Sequence, residues 1–412
     1  MNKEQSISFD QTEYAFAYKS DKELRRAHLM FSLMGSPIII RLGLALTPWA
    51  IKWKLPFVQT LIRKTIFNQF VGGETLQKTT HVVKKLEHYK VNVILDYGVE
   101  GGEGELSFDH STDEFIRVID FAALHQNIPY ISIKITGISR FGLLEKINLL
   151  MLQHNSVQLT ERLDRAIEQL NDQEKSEWQK VTNRLTKICN AAYQQKVSIL
   201  IDAEESWIQE PVDALATLMM MQYNTNEAIV YNTIQLYRHD RFAFLKDSLS
   251  TAQQHLFILG AKLVRGAYME KERTRAATIG YTSPIQISKE NSDKHFNEAI
   301  AFCIDHIDTI ATIIASHNEY SNSFAAKLLS EKGIAFGHQH IHFSQLYGMS
   351  DNISFNLAKF GFSVSKYLPF GPIKDVIPYL MRRAQENSSV AGQTGRELGL
   401  IIKEISRRKS LQ

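Results

Sequence analysis

The sequence predicts an α/β fold in which eight strand-then-helix units close into a (βα)8 barrel. From Val91 onwards, short and largely apolar runs recur, as is typical of buried parallel strands. Segments with helical spacing of apolar residues, such as 113–126 and 297–306, separate these runs. Eight such units in series favour a closed barrel over an open sheet. The predicted strands span residues 91–96, 130–135, 197–202, 229–235, 256–264, 312–316, 334–343 and 363–368.

The remaining regions flank or interrupt the barrel. The first 90 residues are predicted to form a helical segment, because they carry no strand pattern. Residues 91–390 are assigned to the barrel and residues 391–412 to a C-terminal tail. The connection from 140 to 196 is too long for a simple crossover. Its apolar residues recur at helical spacing and predict inserted helices: Leu159, Leu163, Ile167 and Leu170.

Composition excludes several classes of protein. Hydrophobic residues make up 44% of the 412 residues and charged residues 22%, which is ordinary for a globular protein and excludes a disordered one. A net charge of +3 is too small to indicate nucleic-acid binding. Cys189 and Cys303 form no CxxC pair, which argues against a disulfide scaffold and against a zinc–cysteine site.

The N-terminal region bears on where the protein works. Acidic residues such as Glu4, Asp10 and Glu13 interrupt any export signal and are unusual in a transit peptide, so we expect a cytoplasmic protein. The most apolar stretch, 34–61, contains charged residues and a proline and is no clean membrane span. It also mixes tryptophans with lysines, as interfacial helices do. Two interpretations stay open: a core or capping helix, or reversible contact with a membrane.

Polar side chains stand where the predicted strands end. In a (βα)8 barrel the chemistry lies at the C-terminal ends of the strands. Any one of these residues could cap a helix or face solvent, but their recurrence at nearly every strand end predicts a functional site. The residues are Asp96, Lys134, Asp202, Gln235, Arg265, Ser316, His317 and Tyr367.

Two of these side chains carry opposite charges towards the predicted barrel interior. Lys134 shares a strand face with Ser132, and an inward lysine requires an acidic partner. Asp202 ends the next strand and raises the same problem with the opposite sign. Either the two neutralise each other, or Lys134 binds the carboxylate of a substrate while Asp202 orients neighbouring groups.

The helix predicted after Gly371 has two distinct faces. Its apolar face is expected to pack against the protein and consists of Ile373, Val376, Ile377, Leu380 and Ala384. The opposite face consists of Asp375, Tyr379, Arg382, Arg383 and Glu386. This second face is either solvated and laced with ion pairs, or it belongs to a lid whose arginines bind a small carboxylate.

A histidine run offers an alternative from another class of enzyme. His338, His340 and His342 alternate along a predicted strand and could share one face, as in metal-dependent barrel hydrolases. No carboxylate motif nearby supplies a further metal ligand, so we expect no metal at this site. We expect the histidines to form hydrogen bonds or to fill space in the interior. The chain also lacks GxGxxG after a strand and GxxxxGK, the usual nucleotide-binding motifs.

Four motifs together resemble one known family. They are Leu263-Val-Arg-Gly-Ala-Tyr268, Ser316-His317-Asn318, Tyr367-Leu-Pro-Phe-Gly371 and Tyr379-Leu-Met-Arg382-Arg383, the last continuing to Ser389. In order and spacing the chain resembles proline dehydrogenase from residue 96 to residue 389, most closely the stand-alone form shared by eukaryotes and some bacteria.

The resemblance implies a distorted barrel that holds FAD noncovalently. Such an enzyme oxidises L-proline to Δ1-pyrroline-5-carboxylate, the first step of proline degradation to glutamate, and passes electrons to a membrane quinone at the membrane periphery. The resemblance implies that Lys134, Arg382 and Arg383 bind the proline carboxylate. It also implies that Tyr367 and Tyr379 pack around the proline ring and that Asp202 holds the geometry of the active site. Glu100 would pair with Arg382. The implied flavin contacts are Ala203, Gln235, Arg265, Gly266, Ala267, Ser316 and His317.

One position departs from the pattern of many bacterial members. Lys262 stands beside the expected flavin where those members have arginine. Lysine keeps a positive charge that can stabilise reduced flavin but loses the planar fork of a guanidinium group. A second question is substrate choice, because 4-hydroxyproline is a close alternative. Tyr367 should crowd the ring carbon that bears the extra hydroxyl, and this favours proline.

Overall fold

The predicted closed barrel is confirmed. The computed structural model describes residues 7–36, 60, 62–98, 102–154, 158–389 and 393–411. Eight strands follow one another around the barrel in chain order, and the strand pairs with a defined register are parallel. Strands β1 to β8 span Asn92–Tyr97, Tyr130–Ile133, Ser198–Ile201, Val230–Gln235, Leu259–Val264, Ile310–Ala315, Ile341–Leu346 and Val364–Phe370.

Helices precede the barrel and alternate with its strands. The described residues before β1 contain helices and no strand, as predicted. Most of the apolar stretch 34–61 lies outside the described residues, so its two interpretations stay untested. Helices α1 to α15 span Thr12–Ala15, Asp21–Met34, Leu76–His88, Glu105–Ala123, Phe141–Met151, Leu159–Glu168, Asp172–Gln195, Ser206–Tyr223, Arg241–His255, Met269–Ile279, Lys289–Asp305, Glu319–Glu331, Asp351–Lys359, Ile373–Ser389 and Gln393–Lys409.

The long connection between β2 and β3 consists of inserted helices, as predicted. These are α5, α6 and α7. The side chain of Asn171 accepts a hydrogen bond from the Glu174 amide (2.9 Å), and Glu174 accepts one from the Asn171 amide, a reciprocal cap that starts α7. Further along α7, Arg184 donates to Glu105 (2.6 Å) and Asp109 (2.8 Å). The insertion is therefore tied to the first turn of α4.

The chain divides into two compact units. The first comprises Met1–Val99 and Ser344–Gln412, and the second comprises Glu100–Phe343. In the first unit, the last helix α15 packs against α1 and α2 through an apolar cluster that includes Phe16, Phe31 and Leu400. Arg408 near the end of α15 donates to the carbonyl oxygens of Phe16 and Lys19 (2.9 Å each) and to Asp21 (2.8 Å). The two ends of the chain are thus joined.

A buried ion pair lies behind β8 in the same unit. Lys366 of β8 is fully buried, with its Nζ 2.9 Å from Oδ1 of Asp351 at the start of α13. Asp351 also accepts a hydrogen bond from the Tyr18 hydroxyl (2.7 Å) and lies 3.5 Å from Lys19 Nζ. Burial alone would raise the pKa of Asp351, but the charges of Lys366 and Lys19 outweigh it and lower that pKa. Burial also lowers the pKa of Lys366, although the charge of Asp351 opposes this, so each charge of the pair depends on its partner.

A second buried acid adjoins this pair. Glu397 of α15 accepts a hydrogen bond from the Ser350 amide. Burial, together with the negative charge of Asp351, raises the pKa of Glu397 to about 7. The folded protein therefore holds a proton at Glu397 more tightly than the unfolded chain does.

This raised pKa predicts a pH-dependent stability. Because folding favours the protonated form, the destabilising effect of Glu397 is absent below about pH 4.5, grows as the pH rises, and is complete above about pH 7. A Glu397→Gln variant keeps an acceptor for the Ser350 amide and removes the ionisation. We expect it to raise the free energy of unfolding by about 2–3 kcal/mol at pH 8, measured by urea denaturation, and by little at pH 4.5.

A neighbouring substitution provides the control. Asp351→Asn should destabilise the protein at pH 8, because it leaves Lys366 buried without its ionised partner. An equal gain from Glu397→Gln at both pH values would contradict the interpretation.

Candidate active site

An ion pair in the second unit joins Asp202, a predicted strand-end residue, to Lys262, which was expected beside the flavin. Lys262 lies in β5 with 5% of its surface exposed, and its Nζ contacts Oδ1 of Asp202, which follows β3 directly. Sequence reasoning considered only Lys134 as a partner for Asp202. The pairing with Lys262 places a cation with a fixed acidic partner at the strand ends, where the chemistry of barrel enzymes is found.

A second acid lies beside Lys134. Lys134 is half-buried and immediately precedes the 3₁₀ turn Ile135–Gly137. The carboxylate of Glu204 is buried and accepts hydrogen bonds from the Thr136 hydroxyl, at 2.9 Å to Oε1 and 2.8 Å to Oε2. Burial raises the pKa of Glu204 to about 7, although the positive charge of Lys134 opposes the rise. Sequence reasoning assigned Glu204 no role, and the available signal was its place two residues after Asp202.

The side chain of Gln235 at the end of β4 has an unused acceptor. Gln235 is buried, and its Nε2 donates to the carbonyl oxygen of Glu204 (2.9 Å). Within the described part of the chain, its Oε1 is buried and has no hydrogen-bond partner. A buried acceptor without a partner costs about 1–3 kcal/mol, so this atom suits a donor on a bound molecule.

Arg265 binds side chains from two later segments of the second unit. Its Nε donates to Asp293 (2.7 Å), its Nη1 to Ser316 (2.7 Å) and its Nη2 to Ser321 (2.9 Å). The guanidinium group also lies over the ring of Phe296, 4.3 Å from its centre. Three charge-assisted hydrogen bonds hold the loops after β5 and β6 together. Arg265 and Ser316, predicted separately, are therefore direct neighbours.

The remaining predicted residues of the second unit lie in the same loops. Gly266 and Ala267 follow Arg265 and are exposed, while Ala203 and His317 are half-buried. Gly266 has a φ of +135°, and a Cβ atom there would come within 2.3 Å of the Tyr237 ring. Only glycine fits this position, so the backbone after β5 stays accessible at its surface.

Most predicted residues of the first unit lie on β8 and α14, and Asp96 is half-buried in β1. Tyr367 is half-buried in β8. On α14, Tyr379 belongs to an apolar cluster with Ile373, Val376, Ile377 and Leu380, which confirms the predicted packing face. The predicted division into two faces is nevertheless too simple, because Tyr379 and Arg383 are also buried, at 8% and 7% exposure.

The arginines of α14 differ from each other. The guanidinium group of Arg383 lies 5.2 Å from the centre of the Tyr379 ring, a cation–π contact, and Arg382 is half-buried. An exposed, ion-paired surface is therefore the wrong description of Arg383. Glu100 and the side chains of Ala384 and Glu386 lie outside what the structure describes.

The predicted histidine face is wrong. Strand β7 begins at Ile341, so His338 and His340 precede it and only His342 lies within it. His340 Nδ1 lies 2.6 Å from the Ile307 carbonyl oxygen, and burial lowers the pKa of His342 to about 3. The three rings do not share a strand face, and no group of three or more metal-binding side chains occurs among the described residues.

Comparison with known proteins identifies the family to which the chain belongs. The family model described as proline dehydrogenase matches residues 79–396, more than three quarters of the chain. The chain belongs to the proline dehydrogenase family. Proline dehydrogenases are flavoprotein oxidoreductases of proline catabolism, and proline is their substrate.

Curated members of the family are similar along most of this chain. A mitochondrial proline dehydrogenase of Caenorhabditis elegans is 28% identical over 98% of this chain and 89% of its own length. One of Dictyostelium discoideum, also named mitochondrial, is 34% identical over 84% of this chain and 65% of its own length. A hydroxyproline dehydrogenase of Xenopus laevis is 30% identical over 95% of this chain and 88% of its own length.

Solved structures of proline utilization A share the fold. The protein from Bdellovibrio bacteriovorus, inactivated by N-propargylglycine, superimposes with a TM-score of 0.66 at 20% identity and covers 93% of this chain. A mutant from Bradyrhizobium japonicum gives 0.64 at 16% identity and covers 96%. The chain described here spans only 37% of the Bdellovibrio protein and 42% of the Bradyrhizobium protein. Among its own described helices, none combines the length and apolar character needed to cross a bilayer.

Proposed function

We propose that this chain oxidises L-proline to Δ1-pyrroline-5-carboxylate with FAD as its cofactor and a membrane quinone as its electron acceptor. The observation that carries the proposal is the Asp202–Lys262 ion pair at the strand ends of a proline dehydrogenase barrel. It sets a positive charge with a fixed orientation where the family's chemistry takes place. We further propose a cytoplasmic location at the periphery of the inner membrane, in line with the Trp- and Lys-containing stretch 34–61.

Substrate recognition rests on cations and aromatic rings. We assign the proline carboxylate to Lys134, Arg382 and Arg383, because ammonium and guanidinium groups make strong charge-assisted hydrogen bonds to carboxylates. Tyr367 and Tyr379 would pack against the ring, and Glu100 would pair with Arg382. The burial of Tyr379 and Arg383 supports this assignment, since desolvation strengthens the contacts that the two side chains offer.

The residues assigned to the cofactor suit a flavin. The unused Oε1 of Gln235 can accept from a ring N–H group, and the bare backbone at Gly266 allows close approach. Arg265 has a charge suited to a phosphate-containing ligand. When bound, the flavin supplies the hydride acceptor, and the protein supplies orientation and electrostatics. The proposed cofactor contacts are Ala203, Gln235, Lys262, Arg265, Gly266, Ala267, Ser316 and His317.

The proposed catalytic residues act by position and charge. Asp202 holds Lys262 in place, and Tyr367 would crowd the ring and keep water from the reacting carbon. Lys262 provides a positive charge beside the proposed position of the flavin. It is thus suited to stabilising negative charge that develops during the reaction.

A glycine substitution tests the cofactor assignment. Gly266→Ala would force a Cβ atom against the Tyr237 ring and strain the loop after β5. We expect purified Gly266→Ala protein to retain less than about a tenth of the wild-type flavin, measured by absorbance after desalting. Gly280→Ala is the matched control: its φ is also positive, at +87°, but no atom lies within 4 Å of the added methyl group. Equal flavin content in both variants would refute the assignment.

One spectrum tests the proposed function directly. Purified protein should show the absorption of an oxidised flavin and lose its yellow colour when L-proline is added without oxygen. Protein that neither contains FAD nor binds added FAD would rule the proposal out. Reduction of a short-chain quinone in the presence of proline would then test the electron acceptor.

A second candidate substrate needs its own comparison. The similarity to a hydroxyproline dehydrogenase makes 4-hydroxyproline the alternative. The bulk of Tyr367 favours proline, so we expect a higher kcat/KM for proline than for 4-hydroxyproline. The opposite order would identify the chain as a hydroxyproline dehydrogenase.

A further inference from the structure

Glu204 is held by three separate elements of the second unit. Its carboxylate binds Thr136 in the turn after β2, through the hydroxyl at 2.9 and 2.8 Å and the amide at 3.4 Å. Its own amide donates to Oε1 of Gln209 in α8 (3.1 Å), and its carbonyl oxygen accepts from Gln235 in β4 (2.9 Å). Glu204 thus connects the turn next to Lys134 with a side chain assigned to the cofactor.

Among the described residues, the charges of Lys134 and Glu205 act on Glu204. Lys134 faces it from the end of β2, and its charge acts directly on the carboxylate. Glu205, the next residue, is paired with Lys271 of α10, while Glu272 of α10 binds Ser206. Of the positive charges beside Glu204, the one at Lys134 is also assigned to the substrate. The substrate carboxylate and Glu204 therefore share one cation.

We infer that Glu204 is a positioning residue that couples carboxylate binding at Lys134 to the uptake of one proton from solvent. The inference rests on the proposed function, in which Lys134 binds the proline carboxylate. Two carboxylates beside the ammonium group of the half-buried Lys134 repel each other, so a bound substrate favours protonated Glu204. Protonation leaves the charge of Lys134 to the substrate.

The hydrogen bonds of Glu204 suit both of its protonation states. A hydroxyl group can donate to a carboxylate and can also accept from a carboxylic acid, so Thr136 keeps its contact in either case. The pKa of Glu204, raised by burial to about 7, allows both forms near neutral pH. The turn that carries Lys134 therefore keeps its position while the local charge changes.

The test uses a ligand whose own charge is constant. Tetrahydrofuran-2-carboxylate keeps the ring and carboxylate of proline but replaces the nitrogen by oxygen, so it does not titrate near neutral pH. Calorimetric binding to the flavin-loaded enzyme, in buffers of different ionisation enthalpy, reports protons taken up. Near pH 7.5 we expect between about half a proton and one proton per ligand, and an affinity that falls at least threefold between about pH 6.5 and pH 8.5.

A pair of neighbouring variants identifies the group responsible. Glu204→Gln keeps an acceptor for Thr136 and removes the charge. It should bind the ligand with a pH-independent affinity, at least threefold tighter than wild type at pH 8.5, and without proton uptake. Glu205→Gln, the matched control, alters the adjacent acid and should keep the wild-type pH dependence. Thermal melts and flavin content establish that each variant is folded.

The possible outcomes separate this inference from the proposed function. Wild-type enzyme that binds the ligand without proton uptake overturns the inference alone, and this measurement needs no variant. A Glu204→Gln enzyme that keeps the wild-type pH dependence, or binds more weakly at every pH, overturns it as well. Wild-type enzyme that binds neither this ligand nor proline overturns the proposed function and this inference with it.

Discussion

Replacing Arg383 by methionine is expected to raise the KM for L-proline at least about a hundredfold while kcat changes only a few-fold. Each charge-assisted hydrogen bond contributes about 1.5–3 kcal/mol, and a guanidinium group that grips a carboxylate makes two of them. Since about 1.4 kcal/mol corresponds to a factor of ten, the loss amounts to two orders of magnitude or more. Methionine nearly preserves the buried volume beside Tyr379, so packing should change little.

Two further substitutions on the same helix make this test specific. Arg383→Lys keeps the charge and loses the planar fork, so its KM should fall between those of wild type and Arg383→Met. Lys374→Ala removes an exposed cation of α14 and should leave KM unchanged. Steady-state kinetics with a dye acceptor would provide the values. A KM for Arg383→Met within threefold of wild type would remove this arginine from the substrate site.

Replacing Lys262 by methionine is expected to lower kcat about 100- to 1000-fold and also to destabilise the fold. A preorganised charge aimed at the reacting atoms contributes on that scale to catalysis. The same change removes the cation that Asp202 contacts, in a site where the Asp202 side chain is 15% exposed. Breaking a buried pair from one side costs about 3–5 kcal/mol, so the loss of stability should reach a large part of that range.

A double variant separates these two effects. Lys262→Met combined with Asp202→Asn removes both charges and should recover much of the stability but none of the kcat. Lys262→Arg keeps the charge and should retain far more activity than Lys262→Met. Anaerobic stopped-flow bleaching and urea denaturation give the two quantities. If proline bleaches the flavin of the Lys262→Met variant at the wild-type rate, Lys262 is not a catalytic residue.

The strands could be predicted because buried parallel strands are apolar on both faces. The exception is β7, predicted at 334–343 and found at Ile341–Leu346. The alternating histidines before residue 341 gave the pattern of a strand where none begins. The polar residues Ser344 and Gln345 interrupted the apolar pattern in the second half of the true strand β7. Gln345 is buried but accepts a hydrogen bond from Ser354 (2.7 Å), a partner that no local pattern reveals.

The site could be predicted as a set of residues but not as a set of pairs. A strand end pointed to Asp202 and the family resemblance pointed to Lys262, yet their pairing spans 60 residues and depends on how β3, β4 and β5 align. The sequence analysis gave Glu204 no role, because its importance comes from its burial beside Lys134 rather than from its residue type. Likewise, the sequence left open whether the face of α14 that carries Arg383 is solvated or forms a lid, because packing across α14 is not encoded in helical periodicity alone.

The packing of the last helix α15 against α1 and α2 affects how the chain folds while it is being synthesised. At about 5–20 residues per second, a ribosome needs roughly 20–80 seconds to pass from α1 to α15. During that interval the apolar surface of α1 and α2 lacks the partner that Leu400 and Ile401 later provide. Nascent chains of this protein should therefore depend on chaperones until translation ends, and a premature stop before α15 should produce aggregates rather than a shortened enzyme.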